Sequence, residues 1–169
     1  FDAVEGISSA DNMVRFRAMV KQVCRRAGFH ATFMSSPRLE GTMASGWHLH
    51  QSLVGAKKGT NAFAGENGLS STGERWVAGL LANARAGCVF AAPTVNGYRR
   101  FKRHGMAPDR VQWSKDNKGA MLRIVEHPPP STRVENRVGE PTANPYLYLL
   151  SQVVTGLNGL GESLTLPAP

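Results

Sequence analysis

The sequence predicts an α+β fold with an antiparallel sheet, and three observations carry that expectation. Short apolar and β-branched runs occur between turn-forming residues. Two segments have helical periodicity, one near the start of the chain and one near its end. Strands and helices do not alternate regularly, as a parallel doubly wound sheet would require.

Residues 11–27 read as an amphipathic helix with Asp11 as N-cap. Met13, Phe16, Val20, Val23 and Cys24 recur at helical spacing, and Gly28 ends the segment. Residues 30–34 read as a strand closed by Ser35-Ser36-Pro37. Residues 46–53 alternate and read as a second strand, followed by a Gly- and Lys-containing loop over 55–70. Ser71 and Glu74 have capping-box spacing, and Trp76, Val77, Leu80 and Leu81 carry a helix to about Gly87. Residues 93–110, with Pro, Gly and clustered Arg and Lys, predict a long irregular functional loop. Short strands are expected at 110–114, 120–126 and 133–138, separated by Asp116-Asn117 and by Pro128-Pro129-Pro130. A last helix starts near Ala143 with Pro145 in its first turn, and the tail 161–169 is expected to fray.

With 169 residues, 41% hydrophobic and 19% charged, the chain is long enough for one domain with a true core, taken as residues 1–169. It opens on Phe1 with no start-like segment and reads as a piece of a longer protein. No apolar stretch has bilayer-spanning length, and no signal-peptide pattern opens it. Cys24 and Cys88 are isolated in apolar, helix-like contexts and read as free thiols of a reducing, cytoplasmic protein. The net charge of +8 admits nucleic acid, or a site for phosphates and carboxylates. The arginines are dispersed, and neither aromatics interleaved with a basic groove nor a docking motif accompanies them. No nucleic-acid partner and no membrane partner is therefore expected.

Two strands carry chemistry. On the first, alternation puts His48, His50 and Ser52 on one face and Trp47 and Leu49 on the other. Two imidazoles and a hydroxyl suit a divalent cation or phosphate oxygens, or equally a solvated polar face. On the second, Arg133, Glu135 and Arg137 share a face. They suit either a surface ion-pair ladder or a ligating carboxylate with guanidinium forks aimed at an anion. Asn96-Gly97-Tyr98-Arg99-Arg100 adds paired arginines after a glycine turn, a pattern shared by anion sites and solvated basic loops. Asn144-Pro145-Tyr146-Leu147 is a helix start. If the histidine face and the Arg-Glu-Arg face belong to one sheet, they form one site able to neutralise charge during phosphoryl transfer.

At these residues the sequence resembles the glutamine synthetase family. Ser45-Gly46-Trp47-His48-Leu49-His50-Gln51-Ser52-Leu53 is similar to its SGxHxHxSL strand, and Ala92 to Arg100 to its NPTxNSYKR segment. Ala120-Met121-Leu122-Arg123-Ile124 resembles its ASIRI strand, and Arg133-Val134-Glu135-Asn136-Arg137 its RIEVR strand. Pro141 to Leu147 resembles its DPSANPYL segment, followed by a closing Gly156-Leu157-Asn158-Gly159-Leu160. The motifs keep family order and cover nearly all of the chain from Ala31 to Leu160.

The resemblance implies the carboxyl-terminal part of a catalytic domain, with a curved, mainly antiparallel sheet flanked by helices. It implies ATP-dependent ligation of ammonia or a primary amine to the γ-carboxylate of glutamate through a γ-glutamyl phosphate. It implies ATP with Mg²⁺ or Mn²⁺, and a homo-oligomeric ring in which a neighbouring subunit completes each site. By match to the motifs, His48 and Glu135 ligate the metal, and His50, Ser52 and Arg133 lie on the ATP side. Arg100 and Arg137 hold the substrate carboxylate and the transferring phosphoryl group. Lys118 stands where the family has a phosphoryl-stabilising arginine, keeping the charge and losing the fork. Three further departures stand out. Met43-Ala44 replace an Asn-Gly that helps bind the glutamate amino group. Met106 replaces a glutamate that closes the site and helps deprotonate ammonium. The Pro128-Pro129-Pro130 run replaces a lysine near the nucleotide. Losing the carboxylate at Met106 predicts an acceptor amine bulkier than ammonia, or an acid other than glutamate; the same departures also fit a degenerate paralogue with a regulatory or structural role. The family's other metal carboxylates lie on strands that precede this chain, so the 169 residues alone are expected to lack ligase activity.

Overall fold

A computed structural model describes residues 2–56, 59–66, 68–102, 105–126 and 131–169. Helix α1 (Ser8–Arg26) is followed by β1 (Leu49–Gln51) and a small hairpin of β2 (Ala64–Gly65) and β3 (Gly68–Leu69). Then come α2 (Ser71–Ala82), α3 (Ala84–Ala91), the single turn α4 (Val95–Tyr98), β4 (Trp113–Lys115), β5 (Leu122–Val125), β6 (Arg133–Asn136) and α5 (Pro145–Gly161). The four-stranded sheet has the order β1-β6-β5-β4. β6 pairs antiparallel with both β1 and β5, and only the β4–β5 edge is parallel. The expected α+β class with a mainly antiparallel sheet flanked by helices is what the chain adopts.

The core lies between this sheet and the α2–α5 pair. Phe63, Trp76, Val77, Leu80, Leu122, Ile124, Val134 and Tyr148 are buried in it. β5 and β6 bury Leu122, Ile124 and Val134 on one side, which leaves Arg123, Arg133 and Glu135 for the other. Helices α2 and α5 meet backbone to backbone. A Cβ at Gly159 would overlap the Arg75 carbonyl and come within 2.7 Å of Gly79 N, and one at Gly79 would overlap the Thr155 carbonyl. Glycine is needed here for close approach.

Several local expectations are corrected. The chain enters α1 at Ser8 and not at Asp11; Asp11 lies in the first turn and accepts a hydrogen bond from Tyr146 Oη at 2.6 Å, docking α1 on α5. Only Ala10 of α1 is buried among its residues, and Met19 and Val23 stand exposed. Residues 30–34 form no strand. The segment has no ladder partner among the described residues, and Phe33 packs edge-on against Phe16 instead. The expected strand over 46–53 is ladder-paired only at Leu49–Gln51. The 55–70 loop contains the β2–β3 hairpin.

The cap of α2 is Ser70, one residue before the expected Ser71. Its Oγ accepts from Gly73 N at 3.1 Å. The expected helix to Gly87 breaks at Asn83, whose side chain donates to the Gly79 carbonyl and to Asn158 Oδ1. The tail does not fray: Leu166 packs on the core and the Trp113 indole donates to the Pro167 carbonyl at 2.8 Å. Asn144 caps α5 through Tyr146 N and Leu147 N, with Pro145 at the first position. Cys24 and Cys88 are free and half-buried. The Pro128-Pro129-Pro130 run lies outside the described residues.

The α2–α5 contact yields a stability test. Gly159→Ala adds helix propensity of about 1 kcal/mol but forces a methyl into backbone, an overpacking cost of about 1–3 kcal/mol or more. The variant is expected to unfold at lower urea concentration than the parent, whereas Gly87→Ala, where an added Cβ meets open space, should not.

Candidate functional site

The register of β1, β6 and β5 places His50 opposite Glu135 and Arg123 opposite Glu135 on the other side. Three side chains from adjacent strands therefore share one face, and Glu135 sits at their centre. Its side chain is 3% exposed, so this carboxylate has left water and must be compensated. The compensation is extensive. Arg137 Nη1 donates to Oε1 at 2.9 Å and Arg123 Nη1 to Oε2 at 3.1 Å. His48 Nδ1 lies 2.9 Å from Oε1 and His50 Nε2 lies 3.8 Å from it. Arg133 Nε donates to the other nitrogen of His50, Nδ1, at 3.1 Å.

The electrostatics follow from burial and neighbours. Burial is the largest influence on both imidazoles and lowers them below the usual histidine range. Arginine charges, from Arg137 and Arg100 at His48 and from Arg133, Arg123 and Arg137 at His50, also lower them, and together with burial they outweigh the pull of Glu135. For Glu135, burial pushes the carboxyl up. The hydrogen bond from Arg123 and the charges of Arg137, His50 and His48 more than offset that, and it stays below the usual carboxylate range. Neutral imidazoles beside an ionised carboxylate are the protonation states in which these groups ligate a cation.

The structure brings His48, His50, Arg133, Glu135 and Arg137 together. Ser52, just beyond β1, is exposed, and Lys118 is exposed on the turn between β4 and β5. Arg100 is buried with both terminal nitrogens engaged: Nη1 donates to the Gly139 carbonyl at 2.6 Å, and Nη2 to the carbonyls of Arg137 and Val138 at 2.9 and 2.8 Å. A substrate carboxylate at Arg100 would have to share with these carbonyls. The neighbouring Arg99 and Lys102 are exposed.

Arg100, Arg137 and His48 border a common open cleft of about 440 Å³, which Ser36, Thr42, Met43, Ala44, Met106 and Ala107 also line. The Met106 carbonyl accepts a hydrogen bond from Arg137 Nη2 at 3.2 Å, tying that lining to the charged cluster.

Two residues escaped the sequence reading. Arg123 was visible only as part of a strand motif; its register opposite Glu135 was the missing signal. Glu140, fully buried, accepts from Thr94 N and Thr94 Oγ1, each at 2.9 Å, and so anchors the loop that carries Arg99 and Arg100. An acid in a Gly-Glu-Pro turn gives no sequence hint of that.

A mainly antiparallel sheet flanked by helices, with two imidazoles and two arginines gathered on or next to one buried carboxylate, defines an α+β domain with a charged cluster on one face of its sheet. Residues 1–169 match the family profile described as "Glutamine synthetase, catalytic domain", and the chain belongs to the glutamine synthetase family. It is 49% identical over 164 residues to a γ-glutamylanilide synthase of Acinetobacter sp., covering 95% of this chain and 33% of that protein. It is 39% identical over 160 residues to a glutamine synthetase of Thermococcus kodakarensis, covering 95% of this chain and 35% of that protein. A glutamine synthetase of Clostridium saccharobutylicum is 38% identical over 167 residues, covering 97% and 37% respectively. The chain thus spans about a third of the length of these relatives.

Removing the central charge tests the cluster. Glu135→Gln leaves Arg137 and Arg123 facing a neutral amide and is expected to cost about 3 kcal/mol of stability, the scale for breaking a buried ion pair. Urea unfolding of the variant against the parent measures it.

Proposed function

We propose that the full-length protein containing this chain ligates an amine to the γ-carboxylate of glutamate in a reaction driven by ATP. The γ-carboxylate attacks the terminal phosphorus of ATP, ADP departs, and a γ-glutamyl phosphate results. The amine nitrogen then forms a bond to the carbon of that carboxyl group, the bond from this carbon to the phosphate oxygen breaks, and inorganic phosphate leaves with a proton given up by the nitrogen. The observation that carries this reading is the convergence of His48, His50 and Arg137 on the buried carboxylate of Glu135, with Arg133 bonded to the far side of His50.

The donor set fits a Mg²⁺ or Mn²⁺ ion as part of a larger coordination sphere. A neutral imidazole nitrogen and an ionised carboxylate oxygen lie 2.9 Å apart; the carboxylate suits either ion, and the imidazole leans toward Mn²⁺ over Mg²⁺. Among the described residues no group of three or more His, Cys, Asp or Glu is arranged to hold a metal, so His48 and Glu135 would hold it together with carboxylates from elsewhere in the protein. When bound, the ion neutralises charge between the nucleotide phosphates and the attacking carboxylate.

This chain's own side chains supply the rest. His50, Ser52 and Arg133 face the nucleotide. Arg137 and Arg100 meet the substrate carboxylate and the transferring phosphoryl group. Lys118 adds a cation without a guanidinium fork. Arg137 Nε and Arg100 Nε are buried without a hydrogen-bond partner among the described residues, which supports an anion beside them. A ring of identical subunits completes the site. The apolar residues that α5 leaves exposed, Leu147, Leu150, Val154 and Leu157, support association of this kind. No helix among the described residues is long and apolar enough to cross a membrane. The acceptor is a primary amine bulkier than ammonia; the similarity to a protein named for a γ-glutamylanilide supports that choice.

The full-length protein with ATP, Mn²⁺ and glutamate is expected to release phosphate only when an amine is added. His48→Ala should lower that turnover about 100-fold or more. The 169-residue chain alone should show none. Turnover that survives His48→Ala undiminished would sink the assignment.

A further inference from the structure

An indole and three side-chain amides meet beneath the charged cluster, on the core side of the sheet. The Trp76 indole nitrogen of α2 donates to Gln51 Oε1 of β1 at 3.1 Å. Gln51 Nε2 donates to Gln152 Oε1 of α5 at 3.2 Å, and Asn136 Nδ2 of β6 donates to the same oxygen at 2.8 Å. Asn136 Oδ1 accepts from Val138 N at 3.0 Å. Trp76, Asn136 and Gln152 are buried, and Gln51 is half-buried.

Two groups that can only donate fix the direction of these bonds. An indole N–H must meet Gln51 through its oxygen, which leaves the Gln51 amino group for α5. A main-chain N–H must meet Asn136 through its oxygen, which leaves the Asn136 amino group for α5 as well. Both strands therefore converge on one acceptor, and Gln152 has to present its oxygen there. The helix that carries it is itself fixed. Gln152 lies one turn after buried Tyr148 and one turn before Gly156, where an added Cβ would overlap the Trp76 ring. Buried amides are costly when unpaired, and a fully paired set makes a core rigid and specific.

The geometry held in this way is the strand register. β1 is three residues long, Leu49–Gln51. Its pairing with β6 sets Leu49 opposite Asn136, His50 opposite Glu135 and Gln51 opposite Val134. A slip of one residue would carry Leu49 and Gln51 to the charged face and turn both histidines away from Glu135. Gln51 and Asn136 stand diagonally across the pair, and sharing Gln152 Oε1 ties them at one spacing. The approach of His48 and His50 to Glu135 Oε1, at 2.9 and 3.8 Å, depends on that spacing.

We infer that Gln152 is a positioning residue of the site: from the core side, its oxygen holds β1 and β6 in the register that offers His48 and Glu135 to one cation. This rests on the ligase reading above. Gln152 acts through Gln51 and Asn136 and touches neither the ion nor a substrate.

The test uses the full-length protein and titrates Mn²⁺ alone, read by electron paramagnetic resonance of the free ion. Phosphate release with ATP, glutamate and amine is measured beside it. Gln152→Met keeps the length of the side chain and removes the oxygen. It is expected to weaken Mn²⁺ binding about tenfold or more, the scale for losing a group that orients a ligand. The Mn²⁺ needed for half-maximal turnover should rise in step, while turnover at saturating Mn²⁺ falls less. Gln152→Glu still presents an oxygen to both strands and should keep parental binding. Ser151→Ala removes the hydroxyl that Gln152 Nε2 meets at 3.4 Å and leaves Oε1 in place, so it should bind Mn²⁺ as the parent does. If Gln152→Met does not fold, Gln152→Asn keeps an amide too short to serve both strands and should weaken Mn²⁺ binding in the same direction. Parental Mn²⁺ affinity in whichever of these two variants folds, or an equal loss in Gln152→Glu, overturns the inference and leaves the ligase reading standing. A parent that binds Mn²⁺ yet releases no phosphate with glutamate and any amine overturns the ligase reading, and with it the role of Gln152 in that reaction.

Discussion

The structure turns on one interaction, the removal of the Glu135 carboxylate from water. A lone carboxylate at 3% exposure would be prohibitively costly or would neutralise itself. Here it remains an anion because Arg137 and Arg123 bond one oxygen each, and His48 and His50 approach the first of these oxygens. The β1–β6–β5 register makes this possible, since each of these groups reaches Glu135 from its own strand or from an adjacent one. The sheet is thus both the core's wall and the site's floor. Val134 and Ile124 fix it from beneath through apolar packing, and the charged cluster is what their alternation leaves on top.

The same physics sorts the arginines. Arg100 is as deeply placed as Arg137, yet it faces main-chain carbonyls of residues 137–139 and not a carboxylate. Those carbonyl dipoles hold the chain that follows β6 against the loop after α4, and Glu140, one residue further on, grips Thr94 from the other direction. The loop bearing Arg99 and Lys102 is therefore pinned at its base while its exposed cations remain available. A desolvated guanidinium used as a strut and an exposed one left in water make different contributions: the first fixes geometry, and the second sets the potential that an incoming ion meets.

Much of this was legible in the sequence, for a definite reason. Period-two alternation in 48–52 and 133–137 fixes which residues share a face, and that is a local property. Helix α5 was equally legible, because Asn144 and Pro145 are local start signals. The misses are non-local. Residues 30–34 read as a strand from local composition, but composition supplies no ladder partner. Asn83 breaks the α2–α3 run because its side chain finds Asn158 on another helix. The tail is fixed by the Trp113 indole some fifty positions earlier in the chain. Arg123 belonged to the cluster only once its register with Glu135 was known. Among the assigned site residues, the alternation gathers His48, His50, Arg133, Glu135 and Arg137, while Ser52 and Lys118 stand exposed and Arg100 is engaged with carbonyls.

The cleft and the cluster are one mechanical unit because Arg137 belongs to both. Its Nη1 serves Glu135 and its Nη2 serves the carbonyl of Met106, so a single rigid guanidinium plane spans the step from the charged floor to the apolar wall that Met106 forms in the cleft. A lysine could not do this, since its point charge has no fork with which to fix two partners at a set angle. The loop that supplies Met106 is held in this way from a residue whose own position is dictated by burial of Glu135. The chemical character of the wall is set by the side chain of Met106, and its position by the backbone of the same residue. Substitution at this position can therefore change what the wall attracts without removing the hydrogen bond that places it.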